Sequence, residues 1–242
     1  MPWSIPVLAD APDSGFPDPA RCDHPDGLLA VGGDLAPERL LDAYRSGIFP
    51  WYMPEGPILW WSPDPRAVLI PGHIHVPRRL ARTLRQGRYA VTVDRAFDAV
   101  IRACSGSRSY SDGTWLTPEM IEAYQRLYRL GFAHSLEIWM DGELAGGVYG
   151  VAIGRMFYAE SKFHHRRDAS KIALIELMAH LQSLGYLLCD CQLWNPHLEQ
   201  FGVRLIDRDV FLRIVRHAVT QPPADWTTKD ESHSRSPGES SG

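Results

Sequence analysis

The pattern that most constrains the fold lies in the second half of the chain, where strand patterns surround one long helix pattern. Residues 136–163 read as three apolar strands, and the first two are separated by Asp141-Gly142, a dipeptide typical of hairpin turns. A helix pattern occupies 168–184, and 186–192 resumes a strand pattern. This order predicts an α+β fold in which a mixed β-sheet packs against helices.

Further helices are predicted where a proline opens an apolar periodic segment and a glycine follows it. These are 37–46, 118–130 and a short helix from Pro196. Thr117 is the expected N-cap of the second helix, and Asp168 is the expected N-cap of the long one.

The chain divides by composition into three parts. Residues 1–62 are rich in loops, and we expect them to form a small N-terminal domain. Residues 63–222 carry the predicted mixed sheet and form the larger domain. Residues 223–242 are polar and of low hydrophobicity, which predicts a disordered tail.

Composition bounds the class of protein. The 242 residues are 45% hydrophobic with a formal charge of -4, as in an ordinary globular chain. The N-terminus lacks a signal-peptide pattern, and no apolar run approaches the roughly 20 residues needed to cross a bilayer. Four cysteines are too few for a disulfide scaffold in a chain of this length. We therefore expect a reduced, cytoplasmic protein without a membrane partner.

A cluster of arginines is the clearest charge feature. Their spacing of three to four places most of them on one face of a helix, which suits contact with nucleic-acid phosphates but also an ordinary solvated surface. The residues are Arg78, Arg79, Arg82, Arg85 and Arg88.

An acid lies in the apolar strand pattern at 186–192. Alternation would place Asp190 and Gln192 on one face of the strand and Cys189 and Cys191 on the other. A buried carboxylate requires donors or a cation, so Asp190 is expected either to meet a substrate amine or guanidinium or to cap the strand end.

Glu160 is a second acid within a strand pattern, and the two acids could face one cleft from adjacent strands. Paired carboxylates suit recognition of a cationic substrate. They also occur in glycoside hydrolases, which stay a minor alternative because nothing in the sequence sets their separation.

Aromatic residues are concentrated in 49–61, a segment with too many prolines and glycines for a regular helix. These rings could stack on a nucleobase or simply belong to the core. Cys189, Cys191 and His197 lack a second ligand cluster for zinc, so no metal is expected. The glycine-rich run at 146–154 lies in a strand pattern, so neither ATP nor NAD is expected and no cofactor is predicted.

A series of motifs carries a family resemblance. They are GLLAVGGDL (27–35), AYRSGIFPWY (43–52), ILWWSPDPRAVL (58–69), TWLTPEM (114–120), HSLEIW (134–139), GGVYGVAIG (146–154), ESKF (160–163), DASK (168–171) and DCQ (190–192). With these motifs, residues 16–211 resemble the leucyl/phenylalanyl-tRNA-protein transferase family.

The resemblance implies a small N-terminal domain and a larger domain with the GNAT acetyltransferase fold. It implies transfer of Leu, Phe and Met from aminoacyl-tRNA to the N-terminal Arg or Lys of acceptor proteins, which marks those proteins for N-degron degradation. It also implies a monomer that works without a cofactor. The coenzyme A loop of acetyltransferases has no counterpart before Asp168, which makes an acetyltransferase the weaker interpretation.

Site residues follow from the same resemblance. The catalytic set is expected to be Asp190, Gln192 and Glu160. The aminoacyl-adenosine end is expected to contact Tyr44, Trp51, Trp115, Tyr124 and Asn195. The pocket for the amino-acid side chain would comprise Val148, Lys162, Leu174, Leu177 and Leu188. The five arginines correspond to the family's tRNA-contacting helix.

Lys162 departs from the family pattern, in which many relatives have methionine within E-S-M-F. Its stem could pack while the ammonium reaches outward, or the charge could alter the preference for amino acid or acceptor. A tRNA-binding module without catalysis is the alternative function. Asp190 and Gln192 favour an enzyme, because a binder gains nothing from an acid beside an anionic ligand.

Overall fold

The computed structural model describes residues 4–9, 15–106 and 116–226. Its strands are β1 (Val7–Leu8), β2 (Leu28–Gly32), β3 (Phe49–Pro50), β4 (Leu59–Trp61), β5 (Arg66–Leu69), β6 (Ala90–Val93), β7 (Ala133–Met140), β8 (Glu143–Ile153), β9 (Met156–His164), β10 (Leu188–Asp190) and β11 (Arg204–Ile206). Its helices are α1 (Pro37–Arg45), α2 (Arg78–Gln86), α3 (Phe97–Ser105), α4 (Pro118–Arg129), α5 (Ala169–Ser183), α6 (Pro196–Glu199) and α7 (Arg208–Ala218), with a 3₁₀ turn at Pro19–Arg21.

The strands form two sheets. The smaller sheet has the order β1-β2-β4-β3, and the larger has the order β11-β5-β10-β9-β8-β7-β6. In the larger sheet, β10 runs parallel to β9 and antiparallel to β5, while the other neighbours are antiparallel. The predicted α+β class with a mixed sheet is therefore confirmed.

The predicted helices are present, and one of the two predicted caps is confirmed. Thr117 accepts a hydrogen bond from the amide of Met120, as an N-cap should. Asp168 occupies the N-cap position of α5 but has a left-handed φ of 63° and makes no side-chain cap bond. Its carboxylate instead accepts from the ammonium of Lys171 at 2.9 Å, so the prediction of a capping Asp168 was wrong.

The strand predicted at 186–192 is shorter than expected. Only Leu188–Asp190 pairs as β10, and Gln192 has a left-handed φ of 59°. The chain therefore turns after Asp190, and the predicted alternation that placed Asp190 and Gln192 on one face was wrong. The turn matters for function because Gln192 stays bonded to β5, where its carbonyl accepts from the amide of Ala67 at 3.2 Å, but no longer pairs with β9.

Two hydrophobic cores lie on opposite faces of the larger sheet. One core packs α5 and α2 on the sheet and includes Leu174 and Phe157. The other combines α3, α4 and α7 with the N-terminal segment, so that Tyr44 and Phe211 share one core. The N-terminal part thus contributes to the core of the larger one, and the division near residue 62 stays a prediction.

The packed part of the chain extends further than residue 222. Trp226 is 7% exposed, and its ring stacks on His134 with centroids 4.2 Å apart. Its indole N–H donates to the hydroxyl of Tyr186 at 2.7 Å. The prediction of a tail from residue 223 was therefore wrong for 223–226, and 227–242 lie outside the described residues.

Candidate functional site

A large cleft forms where two neighbouring strands part. Strand β10 pairs with β9 only along 156–158, although β9 continues to His164. Beyond Asp190 the chain turns away and returns through α6, which leaves a cleft of about 870 Å³ between the end of β9 and residues 191–198. A cleft of this size accommodates a ligand larger than an amino acid.

A β-bulge aims Glu160 into this cleft. Gly150 pairs with Ala159 and Tyr149 pairs with Ser161, so Glu160 is the extra residue of β9. A Cβ on Gly150 would lie 2.2 Å from the carbonyl oxygen of Tyr158, so only glycine permits this close approach. The bulge therefore depends on both strands: β9 supplies the extra residue Glu160, and β8 supplies Gly150 opposite it.

Glu160 is held by two tyrosines that come from different helices. Its Oε1 is hydrogen-bonded to the hydroxyl of Tyr44 and its Oε2 to that of Tyr124, both at 2.8 Å, and the two hydroxyls are 2.7 Å apart. Burial raises the pKa of Glu160 to about 7, although the tyrosine hydrogen bonds oppose that rise. A carboxyl of this kind can give or take a proton near neutral pH.

Asp190 does not face the cleft. Its side chain is fully buried, and its two oxygens accept from Arg66 Nε at 2.9 Å and Nη2 at 2.7 Å. The guanidinium lies between the rings of Phe49 and Phe211. The expectation of a substrate cation at Asp190 was wrong, since the cation is Arg66 of the same chain.

Gln192 connects the buried ion pair to the cleft. Its backbone N–H donates to Oδ1 of Asp190 at 2.9 Å. With its amide nitrogen turned toward the sheet, Gln192 also donates to the carbonyl of Ala159 at 3.0 Å, across the opening between the strands. Asp190 thus fixes the position of Gln192, which itself lines the cleft.

His197 lies on the opposite wall. The Gln200 amide is 3.3 Å from His197 Nδ1 and can donate to it, which would leave the proton on Nε2, a buried atom without a hydrogen-bond partner among the described residues. Burial, followed by the charges of Lys162 and Lys171, lowers the pKa of His197 to about 4. The ring is therefore neutral at pH 7.

Cations outnumber anions around the cleft. Asp168 is 3.7 Å from Arg167 as well as 2.9 Å from Lys171, so one carboxylate is shared by two cations. Besides Glu160 and Asp168, the charged lining residues are Arg79, Lys162, Arg167 and Lys171. This excess of positive charge suits an anionic ligand.

The predicted apolar pocket is only partly formed by the predicted residues. Val148, Lys162 and Leu174 line the cleft together, and Val148 pairs with Lys162 across β8 and β9. Leu177 and Leu188 are 1% and 4% exposed and are not among the residues that line it, so their part in the pocket stays a prediction.

The aromatic set is divided by the structure. Tyr44 and Tyr124 are fully buried around Glu160, and their predicted place beside an adenosine stays a prediction. Trp51 is 41% exposed and packs against Trp61 with ring centroids 5.9 Å apart, outside the cleft lining. Trp115 lies outside the described residues.

Asn195 lies at the cleft, while its contact with an aminoacyl-adenosine stays a prediction. It lines the cleft, and its side-chain oxygen accepts from the amide of Leu198 at the start of α6. This hydrogen bond orients the side chain at the rim.

The arginine cluster forms the predicted helix. All five side chains are exposed, and within the described part of the chain none of them forms an ion pair. Arg79 lines the cleft, while Arg78, Arg82, Arg85 and Arg88 extend away from it along α2 and just beyond. The arginines thus form a positive surface that leads to the cleft.

Sequence reasoning missed Arg66 and gave His197 only a minor role as a zinc ligand. An arginine at the start of the apolar strand RAVL is as costly to bury as Asp190, and that cost is the sequence signal that could have identified Arg66.

Over residues 4–9, 15–106 and 116–226, no group of three His, Cys, Asp or Glu is placed to hold a metal ion. In the same ranges, no helix is long and apolar enough to span a bilayer.

Two family models match the chain. The model for the leucyl/phenylalanyl-tRNA protein transferase matches residues 68–216, and the model for its N-terminal domain matches residues 33–64. The chain therefore belongs to the leucyl/phenylalanyl-tRNA protein transferase family, a family of enzymes.

Curated relatives agree with this membership. The chain is 53% identical over 226 residues to the leucyl/phenylalanyl-tRNA–protein transferase of Chromobacterium violaceum, covering 93% of this chain and 94% of that one. It is 56% identical over 208 residues to the transferase of the same name from an Anaeromyxobacter species, covering 86% and 88%.

Solved structures give weaker similarity. The L-PGS of Bacillus licheniformis matches with a TM-score of 0.40 and 12% identity, covering 76% of this chain and 71% of that one. A GCN5-related N-acetyltransferase from Kribbella flavida matches with a TM-score of 0.36 and 12% identity, covering 68% and 59%. Similarity at this level carries no argument about the site.

Proposed function

We propose that the chain transfers Leu, Phe and Met from aminoacyl-tRNA to the N-terminal Arg or Lys of acceptor proteins. The observation that carries the proposal is the cleft between β9 and β10. It combines an ionisable carboxyl at Glu160, amides at Gln192 and Asn195, and an excess of positive charge. Family membership supplies the reaction class, and the cleft supplies groups suited to it.

The reaction is attack of a neutral α-amine on the ester carbonyl of aminoacyl-tRNA. The N–C bond forms, the bond from carbonyl carbon to ribose oxygen breaks, and the amine proton ends on that oxygen. An α-amine has an ordinary pKa near 7.7–8.0, so roughly a tenth is neutral at pH 7. Holding amine and ester together then provides most of the acceleration.

The donor would lie along the cleft with its amino-acid side chain against Val148 and Leu174. The neighbouring Lys162 ammonium is the unusual feature of this end, because it lowers the apolar character of the pocket. Gln192 and Asn195 would hold the polar backbone atoms of the reacting groups, with Asp190 acting as a positioning residue behind Gln192.

The tRNA acceptor stem would lie on α2. Exposed arginines contact phosphates without reading sequence, and Arg79 connects this surface to the cleft. Trp51 is 41% exposed and would stack on a base near the 3′ end.

The partners proposed here are charged tRNA and proteins with basic N-termini. An acceptor cation would be attracted to Glu160 in its ionised form. The modified proteins would then enter N-degron degradation, and we place the enzyme in the cytoplasm as a monomer.

The test is transfer of radiolabelled leucine, phenylalanine and methionine from charged tRNA to a peptide that begins with arginine. A peptide that begins with aspartate controls for acceptor choice. Gln192→Ala should reduce transfer at least tenfold, and Gln182→Ala, on the surface of α5 outside the cleft, should not. Tight tRNA binding without transfer to either peptide would instead identify a binding module.

A further inference from the structure

Three short oxygen–oxygen contacts around Glu160 form a closed ring, and the number of protons that this ring contains can be counted. The ring joins Glu160 Oε1 to Tyr44, Tyr44 to Tyr124, and Tyr124 to Glu160 Oε2, at 2.8, 2.7 and 2.8 Å. Each of these distances is that of an O–H···O hydrogen bond, so each needs one proton. The two tyrosines supply only two.

The third proton must therefore belong to Glu160. The hydroxyls of Tyr44 and Tyr124 are fully buried, and burial keeps the pKa of both well above the ordinary value, so neither is a tyrosinate. With a neutral Glu160, the carboxyl donates to one tyrosine, that tyrosine donates to the other, and the second donates back to the carboxyl. Every hydrogen bond in the ring is then satisfied.

The same ring also stabilises the ionised carboxyl. When Glu160 loses its proton, Tyr44 and Tyr124 can both donate to it, one to each oxygen, at the cost of the bond between the hydroxyls. Bonds to a charged acceptor are the stronger kind. The ring thus supports a carboxyl that starts neutral and becomes charged only for a short time.

We propose that Glu160 begins the reaction as a neutral acid and donates its proton to the ribose oxygen that leaves the aminoacyl ester. This inference rests on the function proposed above and assigns Glu160 a catalytic role different from binding the acceptor. Glu160 suits the role because the bulge of β9 holds it in the cleft lining while its proton partners are buried behind it.

The proton balance closes within one turnover. As the N–C bond forms and the C–O bond breaks, the proton of Glu160 passes to the ribose oxygen. The positively charged nitrogen then returns a proton to the carboxylate of Glu160. The net change is the transfer of one proton from amine to alcohol, and the ring returns to its neutral state.

Other charged groups near Glu160 come from several elements. Asp190 of β10 opposes its ionisation, and Arg66 of β5, which is paired with Asp190, favours it. The other charged residues that line the cleft are Arg79, Lys162, Arg167, Asp168 and Lys171. The buried ion pair is nearly neutral as a unit, so the tyrosines are the direct partners of the carboxyl.

The first experiment compares Glu160→Gln with the wild-type protein. Glutamine keeps the shape and closes the same ring through its N–H and carbonyl, but it cannot donate a proton to the ester. We expect kcat to fall about 10²- to 10⁴-fold with the KM values for tRNA and peptide changed less than about threefold. A raised peptide KM with unchanged kcat would overturn the proposal, because it would mean that Glu160 only holds the acceptor.

The pH profile provides the second readout. The ratio of wild-type to Glu160→Gln kcat cancels the titration of the amine and should fall above about pH 7, where Glu160 is ionised. In Tyr124→Phe, loss of a donor to the carboxylate raises the pKa of Glu160, so this fall should move to higher pH. An unshifted profile would overturn the proposal.

A matched pair controls for general damage. Glu176 accepts from the hydroxyl of Tyr89 at 2.6 Å outside the cleft, so Glu176→Gln and Tyr89→Phe remove a similar hydrogen bond and should leave kcat unchanged. If wild-type protein transfers no amino acid, the proposed function fails. If it transfers and Glu160→Gln is fully active, only the role of Glu160 fails.

Discussion

The guanidinium of Arg66 and the carboxylate of Asp190 form a fully buried, two-bond ion pair that connects four elements of the fold. The pair joins β5 to β10, and Arg66 also lies against Phe49 of β3 and Phe211 of α7. Since the amide of Gln192 is bonded to the same carboxylate, the pair sets the position of one cleft wall.

Removing only one charge of this pair should lower the free energy of unfolding. Asp190→Asn leaves the Arg66 charge buried without a counter-charge, and we expect a loss of about 3–5 kcal/mol in the free energy of unfolding, measured by urea titration. Removing both charges as Arg66→Met with Asp190→Leu should recover most of that loss. Transfer activity should stay low in the double variant, because Gln192 would still lack its anchor. A double variant as unstable as the single one would contradict this account.

Stability should also depend on Glu160 and pH. Its pKa is raised from 4.5 to about 7 on folding, so its stabilising contribution is full below about pH 4.5 and is lost as pH rises through about 7. Glu160→Gln removes this dependence. Relative to wild type, the variant should gain up to about 3 kcal/mol between pH 5 and pH 8, since one pKa unit corresponds to about 1.36 kcal/mol. Parallel stability curves for the two proteins would exclude a neutral Glu160.

The arginine surface should act through salt-dependent binding. Arg82→Gln should weaken tRNA binding and reduce the slope of log affinity against log salt by about 1, with kcat unchanged at saturating tRNA. Arg126→Gln is the control, because Arg126 is an exposed arginine of α4 already paired with Glu122. Equal slopes for Arg82→Gln and wild type would remove α2 from the tRNA interface.

Lys162 should limit the use of apolar amino acids. Lys162→Met removes a cation from the cleft lining that also includes Val148 and Leu174, so kcat/KM for leucyl- and phenylalanyl-tRNA should rise about five- to tenfold, measured with both charged tRNAs in competition. Lys171→Met is the matched variant, because it removes a cation that is bonded to Asp168 instead. The same gain in both variants would indicate a general effect of charge.

Trp226 should contribute to global stability although it lies in the irregular segment after α7. Its ring packs on His134 and its N–H bonds to Tyr186, so Trp226→Ala should cost about 3 kcal/mol in the free energy of unfolding. Trp194→Ala removes an indole that is 45% exposed and should cost less than about 1 kcal/mol. Similar thermal midpoints for the two variants would contradict the packing of Trp226.

Local sequence signals predicted most of the secondary structure but not the roles of buried polar groups. Proline at the first turn and glycine after the last located α1 and α4 well, because both signals act within a few residues. Strand alternation failed at Gln192, because a left-handed turn ended β10 early. Such a turn in a residue other than glycine leaves no clear sequence signal.

Long-range partners explain the remaining differences. The sequence indicated that Asp190 needs a cation, but the cation is Arg66, more than a hundred positions away. Tyr44 and Tyr124 matched family positions near the substrate, and the structure buries both against Glu160. Pairings of this kind depend on tertiary structure, which periodicity does not encode.

The core shared by Tyr44 and Phe211 affects how the chain can mature during synthesis. The N-terminal segment leaves the ribosome first, but its packing partners are synthesised later. Gly47 packs closely on the ring of Phe211, and Tyr44 is hydrogen-bonded to Tyr124 and Glu160. At about 5–20 residues per second, these partners emerge on the order of ten seconds later. During that interval the first sixty or so residues present an unfinished apolar surface, so we expect nascent chains to be prone to aggregation until α7 is released.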